Sequence, residues 1–204
     1  MQRSQQLSFL VAAVCLAASA SGQQRAIEVG KALPVTSATA ATGPWLERAP
    51  LNPATYGQTR GVSPATSPEA KIVLYTPTLS EDFFKLARRV DSLIEKHPEL
   101  KWSFVQVSDP KGAQRGGYTA DELKTRLAEL KTLAESHELK HLSLVVAAPA
   151  ARPGSSTITL AFTKQSTAKY QHPVVAWTGQ TDEAKLDRAT IEKLIGELSA
   201  TIGE

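Results

Sequence analysis

Across residues 71–204, short runs of β-branched and aromatic residues alternate with capped amphipathic stretches, and this alternation constrains the fold more than any other feature of the chain. Residues 71–76, Lys-Ile-Val-Leu-Tyr-Thr, sit between Pro68 and Pro77 and read as a buried strand. Thr78-Leu79-Ser80-Glu81 then offers a capping box, after which Phe83, Phe84, Leu86, Ala87, Val90, Leu93 and Ile94 recur at helical spacing until Pro98 stops the helix. Residues 102–107 alternate as a strand does. After a loop over 109–118 that contains Gly116-Gly117, a second capping box, Thr119-Ala120-Asp121-Glu122, opens a helix carrying Leu123, Leu127, Leu130 and Leu133. A third strand is expected over 142–146, and a hairpin from 158–162 and 174–177 follows the turn-rich stretch 149–156. Residues 187–202 close the chain as a helix with Ile191, Leu194, Ile195 and Leu198 on one face.

The order β-α-β-α-β-β-β-α requires parallel pairing through its two crossovers and antiparallel pairing in the last hairpin. The expected fold class is therefore α/β, a mixed sheet with helices on both faces. In that element order, and in the runs 71–76, 142–146 and 158–162, the chain resembles the thioredoxin-like fold superfamily over residues 71–204. It is similar to secreted bacterial thioredoxin-like proteins that lack the Cys-x-x-Cys pair. These share a run of the type Leu-x-x-Leu-Ala-x-x-x-x-Leu-x-His before the third strand, carried here by Leu130, Leu133, Ala134, Leu139 and His141.

The resemblance implies a fold but transfers no thiol chemistry. A redox member places Cys-x-x-Cys at the end of the first strand, where the helix N-terminus keeps thiolate available; here that loop reads Thr76-Pro77-Thr78-Leu79-Ser80-Glu81. A hydroxyl cannot perform disulfide exchange, and Thr78 or Ser80 as a nucleophile would need a base that the local sequence does not supply. The family's cis-proline before the fourth strand is also missing, since Ser155-Ser156-Thr157 precedes Ile158. The expectation is a non-catalytic binding or accessory module for a protein or peptide partner, with no cofactor.

Residues 1–22 read as a targeting segment. Met1-Gln2-Arg3 gives a positive start, and the apolar stretch over 7–18 is shorter than the roughly 20 residues that a membrane-spanning helix needs. Ala18-Ser19-Ala20 matches an A-x-A cleavage site, so an exported protein is expected, periplasmic or extracellular, with no membrane span in the mature chain. The single Cys, Cys15, leaves with that segment, which excludes a disulfide framework, a four-Cys metal site and a redox pair. A lipidated Cys15 is the rival reading, against which Val14 stands where a small residue is expected. Loss of Arg3 lowers the formal charge from +3 to +2, too little for a nucleic-acid footprint. Residues 23–70 hold six of the twelve prolines and read as a flexible Pro/Ala/Thr-rich linker, with Trp45, Leu46, Leu51 and Tyr56 as the residues able to dock on a domain.

One motif argues for another class. His137-Glu138-Leu139-Lys140-His141 matches H-E-x-x-H, in which two His at i and i+4 share a helix face and bind zinc while the Glu acts as general base on the metal-bound water. The alternative function is thus a small zinc metallohydrolase with His137, His141 and the downstream Glu183 as ligands and Glu138 as base. A continuous helix would align Leu127, Leu130, Ala134, His137, His141 and Leu144 in one seam. A break over residues 138–140 would part the two imidazoles, and the strand character after His141 favours one. His97 and His172, each beside a proline, read as loop residues, Arg88-Arg89 as the rim of a helix, and 112–117 lacks the Lys-Ser or Lys-Thr of a phosphate loop.

Overall fold

The computed structural model describes residues 27–33, 38–48, 69–108, 118–147, 157–165 and 173–203. Its strands are β1 (Ala38–Ala40), β2 (Lys71–Thr76), β3 (Phe104–Ser108), β4 (Ser143–Ala147), β5 (Thr157–Lys164) and β6 (Val174–Asp182). The helices are α1 (Pro44–Arg48), α2 (Glu81–Lys96), α3 (Ala120–Ser136) and α4 (Arg188–Ile202). The strands form one sheet in the order β1-β4-β3-β2-β5-β6. β2, buried at every position, lies inside it, parallel to β3 and antiparallel to β5, as a continuous apolar run flanked by turn residues should.

The steps β2 to β3 and β3 to β4 run in the same direction across the sheet, so right-handed crossovers put α2 and α3 on the same face. α4 joins them there. Phe83, Phe84 and Val90 of α2, Leu127 and Leu130 of α3, and Ile191 and Leu194 of α4 share one core with Ile72, Leu74, Val105, Leu144 and Leu160. Helices lie on both faces as expected, but unevenly: α2, α3 and α4 share one face, and among the described residues the other carries the single turn of α1. The other face carries Val73, Tyr75, Phe104, Val145 and Ala161, and Ile27, Leu33, Ala40 and Trp45 cover it.

Two pieces of the stretch read as a linker are therefore packed, and the folded unit begins before residue 71. Trp45, 1% exposed, donates its indole N–H to the Trp102 carbonyl at 2.7 Å and its backbone N–H to Ser143 Oγ at 3.4 Å. β1 pairs with the outer edge of β4, and Ala32 bridges Val174 on β6. The physical reason is that Ile27, Leu33 and Trp45 supply the apolar area that a helix would otherwise bring to this face. Gly43, at φ +74°, brings the chain so close to Ser143 that a Cβ would lie 2.4 Å from its Oγ. Residues 1–22 with Cys15, residues 112–117 and 149–156, and Leu51, Tyr56 and His172 lie outside the described residues. Among the described residues no helix is long and apolar enough to cross a membrane.

Candidate functional site

α3 ends at Ser136, and His137 caps it. Glu138 then turns into the left-handed region at φ +57°, with its N–H donating to the Glu135 carbonyl at 3.2 Å and the Leu139 N–H to the Ala134 carbonyl at 2.9 Å. These two bonds make a Schellman ending, in which the last carbonyls are satisfied by a reversal of the chain. The shared helical face that the H-E-x-x-H spacing presupposes does not form. The buried His137 ring instead lies flat on Phe84, with centroids 3.7 Å apart and planes 7° apart, and its Nε2 is 3.7 Å from Glu81 Oε1. Glu138 is exposed. His141, half-buried, gives its backbone N–H to Asp91. Among the described residues no group of three His, Cys, Asp or Glu side chains is placed to hold a metal ion. The zinc set expected from His137, His141 and Glu183, with Glu138 as base, is therefore not brought together.

Glu183 sits elsewhere, in a single 3-10 turn after β6, where its carboxylate accepts a hydrogen bond from Thr78 Oγ1 in the β2–α2 junction. That base stands 105 residues away from Thr78 in sequence, which is why local reading did not find it. Ser80 caps α2: its Oγ accepts the Phe83 N–H at 3.3 Å, so the helix starts two residues later than a box opened by Thr78 requires. All three hydroxyls of the junction are thus bonded: Thr76 to the Thr78 carbonyl, Thr78 to Glu183, and Ser80 as the helix cap. Beside them a groove runs between α2 and the start of α4, lined by Lys85, Arg89, Glu183, Leu186, Ile191 and Glu192. An ion pair of 2.9 Å from Arg89 to Glu192 spans it. Asp187 caps α4, and the Thr190 backbone N–H on its carboxylate at 2.8 Å, followed by the Thr190 hydroxyl, holds that carboxyl below the usual range.

A strand feeding a helix at this junction, a parallel neighbour, an antiparallel terminal hairpin and a closing helix packed beside α2 together decide the architecture. The fold is thioredoxin-like. No protein-family model matches the sequence, and no curated protein matches it. Among solved structures the chain is similar to a thiol peroxidase from Chromobacterium violaceum, at 15% identity and a TM-score of 0.44, over 85% of this chain and 88% of that one.

Asp91 is the buried charge that periodicity did not flag. It falls on the apolar stripe of α2 between Ala87 and Ile94, and an acid at that register is the signal that could have found it. Its carboxylate accepts the backbone N–H groups of His141 at 2.8 Å and Leu142 at 2.7 Å through Oδ1, and of Lys140 at 3.3 Å through Oδ2. The segment after the H-E-x-x-H match is thereby tied to α2 as the entry to β4. On the opposite sheet face, Tyr75 is buried beside Gln106 and Thr159, and desolvation pushes its phenol above the ordinary tyrosine value.

Proposed function

We propose that this protein is an exported thioredoxin-like module that binds a protein or peptide partner and performs no thiol chemistry. The observation that carries the reading is the β2–α2 junction, where thiols would stand in a redox relative. There Ser80 is used as a helix cap and Thr78 is bonded to Glu183. The chain's only Cys is Cys15, inside the apolar N-terminal segment. Export is supported by the positive start, the short apolar stretch and the Ala18-Ser19-Ala20 site. The partner surface in this reading is the groove between α2 and α4, whose apolar floor of Leu186 and Ile191 is rimmed by both signs of charge.

The test uses the purified mature chain in insulin-disulfide reduction and in peroxide consumption with a thiol reductant. Rates equal to the buffer control are expected in both assays. Turnover in either would overturn the non-catalytic reading. Intact mass of the protein recovered outside the cytoplasm should place its N-terminus between residues 21 and 23, whereas retention of the first 22 residues would overturn the export reading.

A further inference from the structure

The groove between α2 and the start of α4 is walled by charged side chains whose pairing is uneven. It holds about 770 Å³ of open space, room for several side chains of a partner. Every carboxylate on its wall is already bonded. Asp82 pairs with Lys85 at 2.6 Å, and Glu192 with Arg89 at 2.9 Å. Glu183 accepts the Thr78 hydroxyl, and Asp187 accepts the Thr190 N–H at 2.8 Å as the cap of α4. The cations are not all engaged. Arg88 of α2 and Arg188 of α4 are exposed on opposite walls, and among the described residues neither forms an ion pair or a hydrogen bond.

We infer that this groove takes an acidic segment of another protein, whose Asp or Glu carboxylates pair with Arg88 and Arg188 from the two walls. The inference rests on the groove being the partner surface, as proposed above, and adds what the partner must carry. Formal charges on the wall balance at four of each sign, so the preference comes from free donors and not from net charge. A carboxylate meets two unengaged guanidinium groups and gains charge-assisted bonds from their N–H donors. A basic side chain meets carboxylates that are already bonded, together with two unmatched like charges. Asp82 and Arg188 lie in the first turns of α2 and α4, so the positive poles of both helix dipoles adjoin the same groove. Leu186 and Ile191 on its floor are only 3% and 4% exposed, so the segment lies along the charged rim without burying a large apolar anchor. The chain's own connecting stretches do not match this chemistry. Over 49–68, 109–117, 148–156 and 166–172 the sequence holds Arg60, Lys111, Arg115, Arg152 and Lys169 against Asp109 alone.

The experiment titrates isotope-labelled mature chain with a short peptide alternating Glu and Ala, beside its Gln and Lys counterparts and inorganic phosphate, and reads backbone amide shifts. The Glu peptide should shift the amides of Arg88, Arg89 and Arg188 saturably, with an affinity that falls as salt rises. Arg88→Gln and Arg188→Gln, at exposed positions outside the core, should each weaken binding about threefold and together about tenfold. Lys124→Gln, exposed on α3, should leave it unchanged. Equal binding of the Gln or Lys peptide, or an affinity unchanged in the double variant, would overturn the acidic class while leaving the groove as a partner surface. No saturable shift with any peptide would overturn both. Phosphate binding as tight as that of the Glu peptide would overturn the inference in favour of a free anion, and a dimer of the unliganded chain that the double variant dissolves would do so in favour of a second copy. The insulin and peroxide assays decide the non-catalytic reading separately.

Discussion

Replacing Asp91 by Ala should unfasten β4 from α2. The two short bonds from His141 and Leu142 to Oδ1, at 2.8 and 2.7 Å, go to a charged acceptor, and each such bond is worth about 1.5–3 kcal/mol. The longer bond from Lys140, at 3.3 Å, adds little. His141 is half-buried and its freed N–H can reach water, whereas Leu142 is buried and its N–H cannot. Alanine also returns about 0.6 kcal/mol of helix propensity at a mid-helix position. The net loss is therefore about 3–4 kcal/mol, or a fall in Tm of about 6–16 °C for a domain of this size. Urea unfolding followed by circular dichroism measures the loss, and hydrogen exchange locates it at the amides of His141 and Leu142. Asp91→Asn, which keeps one acceptor oxygen, should cost about half as much, and Glu95→Ala on the exposed side of α2 should stay within about 0.5 kcal/mol of the parent. A loss below about 1 kcal/mol in Asp91→Ala, or a larger one with those two amides still protected, would refute the reasoning.

Glu138→Gly should raise stability by about 0.5–1 kcal/mol, because glycine takes the left-handed conformation at φ +57° without the Cβ cost; a loss in urea unfolding would show that the Schellman ending is misread. Burial raises the Tyr75 phenol above its ordinary value, so the neutral form contributes stability that is complete below a pH of about 10 and declines as the pH rises beyond it. In an alkaline spectrophotometric titration, one of the four tyrosines should ionise only as the fold opens, and Tyr75→Phe should remove that step; titrations of parent and variant that overlay would contradict it. The untagged mature chain should hold no zinc above background, and His137→Ala should cost about 1–2 kcal/mol through its lost stack on Phe84. One tight zinc per chain, absent in the variant, would restore the metallohydrolase reading.

Most of the strand and helix framework is written in local patterns. The box Thr119–Glu122 caps α3 as its residues suggest, with the Glu122 N–H on Thr119 Oγ1 and the Thr119 N–H on Glu122 Oε2. β5 and β6 are each longer than their apolar centres, because Thr178 to Asp182 continue β6 with polar residues that pair along β5 but leave no hydrophobic mark. Trp102, expected at the head of a strand, lies in the turn before β3 and packs against Trp45 with ring centroids 5.1 Å apart and planes tilted by 57°. Partners such as Trp45 and Trp102 meet through tertiary folding, and no periodicity of 2 or 3.6 encodes them. The same limit hid the Thr78–Glu183 contact and the hold of Asp91 on the entry to β4. The H-E-x-x-H match failed for a local reason that sequence could only pose: whether the chain keeps turning past Ser136 depends on a left-handed residue at Glu138, which its composition does not mark.

The N-terminal cover of the sheet has a consequence in time. Residues 27–48 leave the ribosome before any strand they touch, and Trp45 and Thr42 must wait for Ser143 and Leu144, 98 and 102 positions downstream. The α2 and α3 part of the helical layer can condense as each strand–helix unit emerges, because its crossovers join neighbours, whereas α4 and the opposite layer close only when the chain is nearly complete. Residues made before the strands they cover thus wait for β4 and β6, and until then Tyr75 and Val145 lack the cover of Ile27, Leu33 and Trp45.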